Sequence, residues 1–286
     1  MKVKNIFKFC VLSLMIFILS SCSIAGSFVY ERLDNYLASY FKEFADFTKE
    51  QNKEIDLISE EYLDWFSENE LPYVRTLIED LKEIDSKNPE ILVNLAFEGG
   101  EGIFSRTNDY FEKRIITFSK GLSEEQINQI SLHFEELIRK REEENKKENK
   151  DYKERILDNY LSGFERIGLD LRDGQIEDIK LQLEQHLDIN KEWSELRQQW
   201  IEDFIKLLKK NKSYGYEAQM KKFFNSLDDL GNEEFRQKAD KNEKIALEII
   251  GLIFRTADEK QMKGFNRTLD VYLKSINRIL SKRQVN

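Results

Sequence analysis

Two cysteines, two prolines and two histidines are all that 286 residues hold of these types, and each shortage closes off a class of answer. Cys10 and Cys22 both lie at the N-terminus, so the chain beyond them has no thiol for a disulfide or a thiolate nucleophile. His133 and His186 stand far apart, and neither belongs to a His-x-x-x-His or Glu-x-x-His metal pattern. Ser119 and Ser123 flank Gly121 without forming a Gly-x-Ser-x-Gly elbow. Gly99-Gly100-Glu101-Gly102 is followed by no lysine and hydroxyl in phosphate-loop spacing, and no strand precedes it, so it reads as a turn between helices. Carboxylate pairs such as Glu60-Glu61 and Asp228-Asp229 are too common here to single out an acid–base site. No enzyme activity, cofactor or metal site is expected. Pro72 and Pro89 are the only prolines and glycine is scarce, so most of the chain is free to be helix.

What is present begins with a targeting signal. Lys2, Lys4 and Lys8 precede an apolar run from Phe9 to Leu19, too short to span a hydrocarbon core of about 30 Å comfortably. The run closes on Leu19-Ser20-Ser21-Cys22, small residues before a cysteine, as a lipoprotein signal peptidase requires. Residues 1–21 are the expected signal peptide, Cys22 the lipidated residue and 22–27 a tether; the alternative is an ordinary signal peptide with a chance cysteine. Two or three acyl chains anchor a protein stably where one does so only marginally. Ser23 after the cysteine points to the periplasmic face of the outer membrane in a Gram-negative cell. Loss of residues 1–21 removes three lysines and no acid, so the net charge of the remaining 265 residues falls from −9 to −12. That balance argues against nucleic acid and against broad docking on anionic lipid.

Beyond the tether the pattern is helical. Phe28, Val29, Leu33, Tyr36, Leu37, Tyr40, Phe41 and Phe44 recur at three- and four-residue spacing. Four later segments begin alike: Phe47-Thr48-Lys49-Glu50-Gln51, Leu122-Ser123-Glu124-Glu125-Gln126, Leu171-Arg172-Asp173-Gly174-Gln175 and Thr256-Ala257-Asp258-Glu259-Lys260-Gln261. The first two are capping boxes: the hydroxyl accepts from the N–H three residues on, and the glutamine reaches back. Arg172 replaces the hydroxyl in the third. In the fourth, Asp258 caps with Gln261 or Thr256 with Glu259. From Arg139 to Asp151 no large apolar residue occurs, and a helix polar all round cannot enter a core. The expected fold is an all-α multi-helix bundle of two similar halves, 28–138 and 152–286. A polar helix, 139–151, joins them, either as a solvated connector or as a lever for a partner.

Three constellations stand out. Glu70-Leu71-Pro72-Tyr73 marks a helix start, since the missing N–H of Pro72 is an orphan there anyway, with Trp65 nearby. Trp193, Arg197 and Trp200 share one helix face and are the candidate binding face; the competing reading is an inter-helix packing stripe with the guanidinium reaching out to water. Lys206, Lys209, Lys210, Lys212, Lys221 and Lys222 surround Tyr214 and Tyr216 in an otherwise acidic chain, either as a solvated face or as a contact for lipid headgroups or an acidic partner.

Through most of its length the chain resembles a family of uncharacterised bacterial lipoproteins with a helical domain of unknown function. The resemblance rests on Cys22, Tyr40-Phe41, the caps ending at Gln51 and Gln126, Trp65 with Glu70-Leu71-Pro72-Tyr73, the Trp193–Arg197–Trp200 segment and the helix after Asp258. Phe66 and Ser67 stand where the family pattern has a His-Arg pair, and Arg172 departs at the third cap. The caps are also similar to the Leu-Thr-x-x-Gln starts of Spy-like periplasmic chaperones. The resemblance implies a membrane-anchored helical module of the envelope. The expected role is to bind a protein partner as an adaptor, or alternatively to hold unfolded clients; no nucleic acid or small-molecule ligand is expected.

Overall fold

The computed structural model describes Tyr30 and residues 32–147, 150–226 and 230–283. The expected signal peptide, 1–21, and the expected lipidated tether, 22–27, lie outside the described residues. Among the described residues there are eleven helices and no strand: α1 Leu33–Lys42, α2 Lys49–Asn69, α3 Leu71–Lys82, α4 Glu90–Ser119, α5 Glu124–Lys147, α6 Tyr152–Arg166, α7 Asp173–Leu183, α8 Asn190–Leu208, α9 Tyr216–Asn225, α10 Glu233–Thr256 and α11 Glu259–Arg283. The fold is therefore an all-α multi-helix bundle.

The four repeated starts are the N-termini of α2, α5, α7 and α11. Thr48 Oγ1 accepts from Gln51 N at 3.2 Å while Thr48 N donates to Gln51 Oε1 at 2.9 Å, and Ser123 with Gln126 repeats the pattern. Asp258, rather than Thr256, caps α11 with Gln261. At α7 only half the box survives: Arg172 N donates to Gln175 Oε1, but a guanidinium cannot accept in return. Arg172 instead reaches the fourth cap, donating to Asp258 Oδ2 at 2.8 Å and to the Thr256 carbonyl at 2.6 Å.

The glutamines also join the caps in pairs. Gln126 Nε2 donates to Gln51 Oε1 at 2.7 Å, and Gln51 Nε2 donates back to Gln126 Oε1 at 3.2 Å. Gln261 Nε2 donates to Gln175 Oε1 at 2.8 Å, with a longer return bond of 3.5 Å. Three of the amides also close on the partner's loop: Gln126 on the Asp46 carbonyl, Gln51 on that of Gly121 and Gln261 on that of Asp170. Two turns are thus locked to two others, and each lock satisfies polar groups that burial would otherwise orphan.

Two buried clusters hold the helices, and both draw on chain from either side of the polar stretch. The larger takes Leu71, Leu77 and Val93 from α3 and α4 together with Ile179, Ile249, Phe265 and Ile276 from α7, α10 and α11. The smaller joins Ile116 and Ile127 of α4 and α5 to Phe204, Leu208 and Met220 of α8 and α9. Thirty residues of α4, about 45 Å at 1.5 Å per residue, run from one cluster to the other. The polar stretch is the last turns of α5, where Arg139 pairs with Glu136 and Glu143 in water, and α6 starts afresh at Tyr152 under an Asp151–Glu154 capping box.

Two expectations need correcting. Gly99-Gly100-Glu101-Gly102 is no turn; it lies inside α4. A Cβ on Gly99 would stand 2.6 Å from Leu77 Cδ1, so the glycine lets α3 close onto α4. On α1, Leu37, Ala38 and Phe41 face inward, but Tyr36 and Tyr40, expected on the same stripe, are exposed at its edge. The glycine contact makes a prediction. Gly99→Ala will destabilise by roughly 1–3 kcal/mol through overpacking, despite the better helix former. Gly163→Ala in α6, where nothing stands within 4 Å, will stabilise by about 0.5–1 kcal/mol. Urea unfolding of both variants checks the pair; equal effects would mean α3 does not close on α4 this way.

Candidate functional site

Trp193, Arg197 and Trp200 do share one side of α8, but both indoles are turned onto rings of the protein itself. Trp193 stacks on Phe235 with centroids 6.1 Å apart and planes 3° from parallel. Trp200 stacks on Phe204 at 5.4 Å and touches Phe223 at 5.0 Å. The Arg197 guanidinium lies 5.6 Å from the Trp193 ring centre. All three are half-buried. The arrangement seats α8 on α9 and α10, and the Trp200 indole N–H is buried with no hydrogen-bond partner among the described residues.

The Glu70–Tyr73 corner is the better-built site. Glu70 sits between α2 and α3, where its N–H donates to the Phe66 carbonyl and its own carbonyl accepts from Val74. Its side chain is 1% exposed. Arg106 of α4 grips the carboxylate with both arms, Nε to Oε1 at 2.6 Å and Nη2 to Oε2 at 2.7 Å. This fork-on-fork geometry fixes the guanidinium plane. The carboxylate in turn raises the pKa of Arg106 further above its ordinary value. Half of Arg106 remains in water, 5.5 Å from the Tyr73 ring centre.

On α4, Ile91, Leu95, Gly99, Gly102 and Arg106 fall within about 80° of one another at 100° per residue, so they line one face. Gly99 admits Leu77 and the Tyr73 hydroxyl from α3. Ile91 is 71% exposed, Leu95 40% and Tyr73 38%. Ile91, Leu95 and Tyr73 thus make an exposed apolar stripe, interrupted at buried Gly99 where Leu77 covers α4, that ends beside an arginine held by a buried acid. Sequence reading misses Arg106, whose partner lies 36 residues away, and misses the stripe because glycines at that density read as a break. Winding residues 90–119 on one helix exposes it.

Behind the corner, Tyr110 is buried against Trp65, with ring centroids 4.8 Å apart, and the Arg114 guanidinium lies 3.5 Å from its ring centre. Its hydroxyl has no hydrogen-bond partner among the described residues. Burial pushes its pKa up to about 12, against the opposing pull of Arg114. His186 is tied through Nδ1 to the Tyr152 hydroxyl at 2.8 Å, and burial lowers its pKa. Among the described residues no group of three or more His, Cys, Asp or Glu is placed to hold a metal ion. A shallow cleft of about 310 Å³ opens between Lys82 at the end of α3 and Phe254, Asp258 and Met262 around the α10–α11 turn.

The chain belongs to a family of unknown function, DUF6279, whose model matches residues 43–236. The match takes in the Glu70–Arg106 corner, the α4 stripe and the α8 face, and ends before α11. No curated protein and no solved structure matches the chain.

Proposed function

We propose that this DUF6279 member is a lipid-anchored docking module of the bacterial cell envelope, without catalysis of its own, that seats a protein partner on the α3–α4 face. The carrying observation is the exposed stripe of Ile91, Leu95 and Tyr73 ending on Arg106. Exposed apolar side chains in a row are costly to leave in water and mark interaction surfaces. Arg106 is held rigid by Glu70, so it loses little freedom on meeting a partner. Its Nη1, unused by Glu70, fits a hydrogen-bond acceptor beside apolar side chains, which is the chemistry of a peptide segment. No helix among the described residues is long and apolar enough to cross a membrane; in this reading the acyl chains on Cys22 make the attachment.

A second reading, a holdase similar to Spy-type chaperones, draws on the spread of exposed apolar residues over other helices: Leu57 on α2, Leu132 on α5 and Leu181 on α7. A photo-crosslinker at Leu95 in the full-length protein, in cells, separates the two. The docking module captures one dominant envelope protein, and Ile91→Glu abolishes the capture while Leu181→Glu does not. A broad range of unfolded exported proteins, indifferent to Ile91→Glu, supports the holdase. No capture sinks both. Cys22→Ser should release the protein from membranes; persistent attachment removes the anchor from the proposal.

A further inference from the structure

The smaller cluster carries a surface of a different kind at the corner where α8 turns into α9. Tyr214 stands at the tip of that loop, with its whole side chain open to solvent. The loop is not loose beneath it. Asn211 is buried and donates to the carbonyls of Ser119 and Leu122 at 2.8 and 2.9 Å. Tyr216 is buried with its hydroxyl 2.6 Å from Ser119 Oγ, and Gly215 takes the left-handed turn between Tyr214 and Tyr216 at φ +80°. An aromatic ring is therefore held out into solvent by a rigid base, against the usual gain from covering it.

Lysines surround it. Lys209 and Lys210 follow buried Leu208, and Lys221 and Lys222 follow buried Met220. All four are exposed. Lys212, in the loop, donates to the Lys120 carbonyl. Among the described residues none of these five is in an ion pair with a carboxylate. Two acids beside them are already paired: Glu217 with Lys120 at 2.7 Å and Asp203 with Lys206 at 3.0 Å. Lys120 and, more weakly, Lys221 hold the Glu217 carboxyl below its usual pKa.

We propose that this corner is a second membrane contact, in which Tyr214 enters the headgroup layer of an anionic bilayer and the five lysines meet its phosphates. Tyrosine favours that layer because its ring is apolar and its tip polar. From Lys206 to Lys222 the segment has six lysines and no arginine. Point charges on flexible stems suit a diffuse field of headgroups, whereas recognition of fixed carboxylates on a protein favours the planar fork of arginine. The net charge of the protein is negative, so an anionic leaflet attracts this corner and repels the remainder, and the contact sets an orientation. The proposal rests on the anchored reading: eight residues from Cys22 to Tyr30 span at most ~28 Å, which keeps the body close to the bilayer and lets a weak contact operate.

The test uses the unacylated chain 23–286, so its outcome is separate from that of the Cys22→Ser experiment. This chain has no cysteine, so a single label can be placed by substitution. Vesicles of phosphatidylethanolamine with roughly one lipid in four phosphatidylglycerol should sediment the protein, and phosphatidylcholine vesicles should not. High salt should release it. The combined change Lys209→Glu, Lys210→Glu, Lys221→Glu, Lys222→Glu should weaken binding at least ~10-fold, since each lysine near an anionic surface is worth about fivefold. An environment-sensitive dye on Tyr214→Cys should shift to the blue with vesicles, and one on Leu181→Cys should not. Tyr214→Ser, with every lysine kept, should bind a few-fold more weakly. No binding to the anionic vesicles, or equal binding by the charge-reversed protein, overturns the proposal. So does capture of an acidic protein from position 214 in cells together with absent vesicle binding.

Discussion

Replacing Gln261 with alanine will lower stability by about 3–4 kcal/mol, although alanine is the better helix former. Gln261 is 5% exposed and accepts from Asp258 N, and its amide donates to the Asp170 carbonyl at 2.6 Å and to Gln175 at 2.8 Å. Truncation strands a part-buried donor, Asp258 N, and a part-buried acceptor, the Asp170 carbonyl, and leaves Gln175 Oε1 with Arg172 N alone; each stranded group costs roughly 1–3 kcal/mol when it finds no substitute. Water entering the gap will satisfy some of them, which keeps the sum at the lower end. At about 2–4 °C per kcal/mol for a chain of this size, the thermal midpoint should fall by roughly 10 °C. The same change at Gln51, which is only half-buried, should cost about 1–2 kcal/mol because water replaces its bonds. A double-mutant cycle of Gln175→Ala with Gln261→Ala should return a coupling of roughly 1–2 kcal/mol. A coupling near zero would reduce the pair to two independent caps.

The Glu70–Arg106 pair should respond unequally to loss of either side. Arg106→Met leaves a carboxylate that is 1% exposed with no counter-charge, and the expected cost is about 3 kcal/mol. That is the lower end for a buried pair, because half of the guanidinium already lies in water and part of its attraction is screened. Glu70→Gln keeps the shape and one acceptor, and the released arginine can swing into solvent, so about 1 kcal/mol is expected. The measurement is chemical denaturation of both variants, with the Leu95 crosslink as the functional readout. Glu70→Gln should weaken capture more than it weakens the fold, because an unpinned Arg106 no longer presents a fixed donor. If both variants lose the same stability and the same capture, the pair serves only the fold.

The helix starts are legible in the sequence because capping is short-range. Thr48 with Gln51 and Ser123 with Gln126 act over three residues, and their chemistry is written in the side chains themselves. Arg172 reads locally as a failed cap, since its partners on Thr256 and Asp258 lie more than eighty residues away. The glycines near Gly99 mislead for a related reason. Locally, three glycines in four residues weaken a helix; the compensating contact with Leu77 belongs to another helix and has no local signature. Periodicity puts the tryptophan face on one side of α8, as the structure does, but it marks an apolar side without saying what covers it. Phe235 and Phe223 do.

The sequence by itself determined the class of the protein: helices throughout, where several of them begin, an acidic body with one basic corner, and a chain free of cysteine beyond residue 22. All of these follow from composition and from interactions within one turn of chain. Tertiary structure alone decided that Gln51 meets Gln126 across 75 residues and that Gln175 meets Gln261 across 86. It also decided that each buried cluster is shared between chain from both sides of the polar stretch, and that Arg106 rests on Glu70 beneath an exposed stripe. Many helix faces in this chain are apolar enough to be buried. Which of them meet is settled by close approach at Gly99 and by the amide locks at the caps, where geometry to a fraction of an ångström selects one pairing among surfaces of similar hydrophobicity.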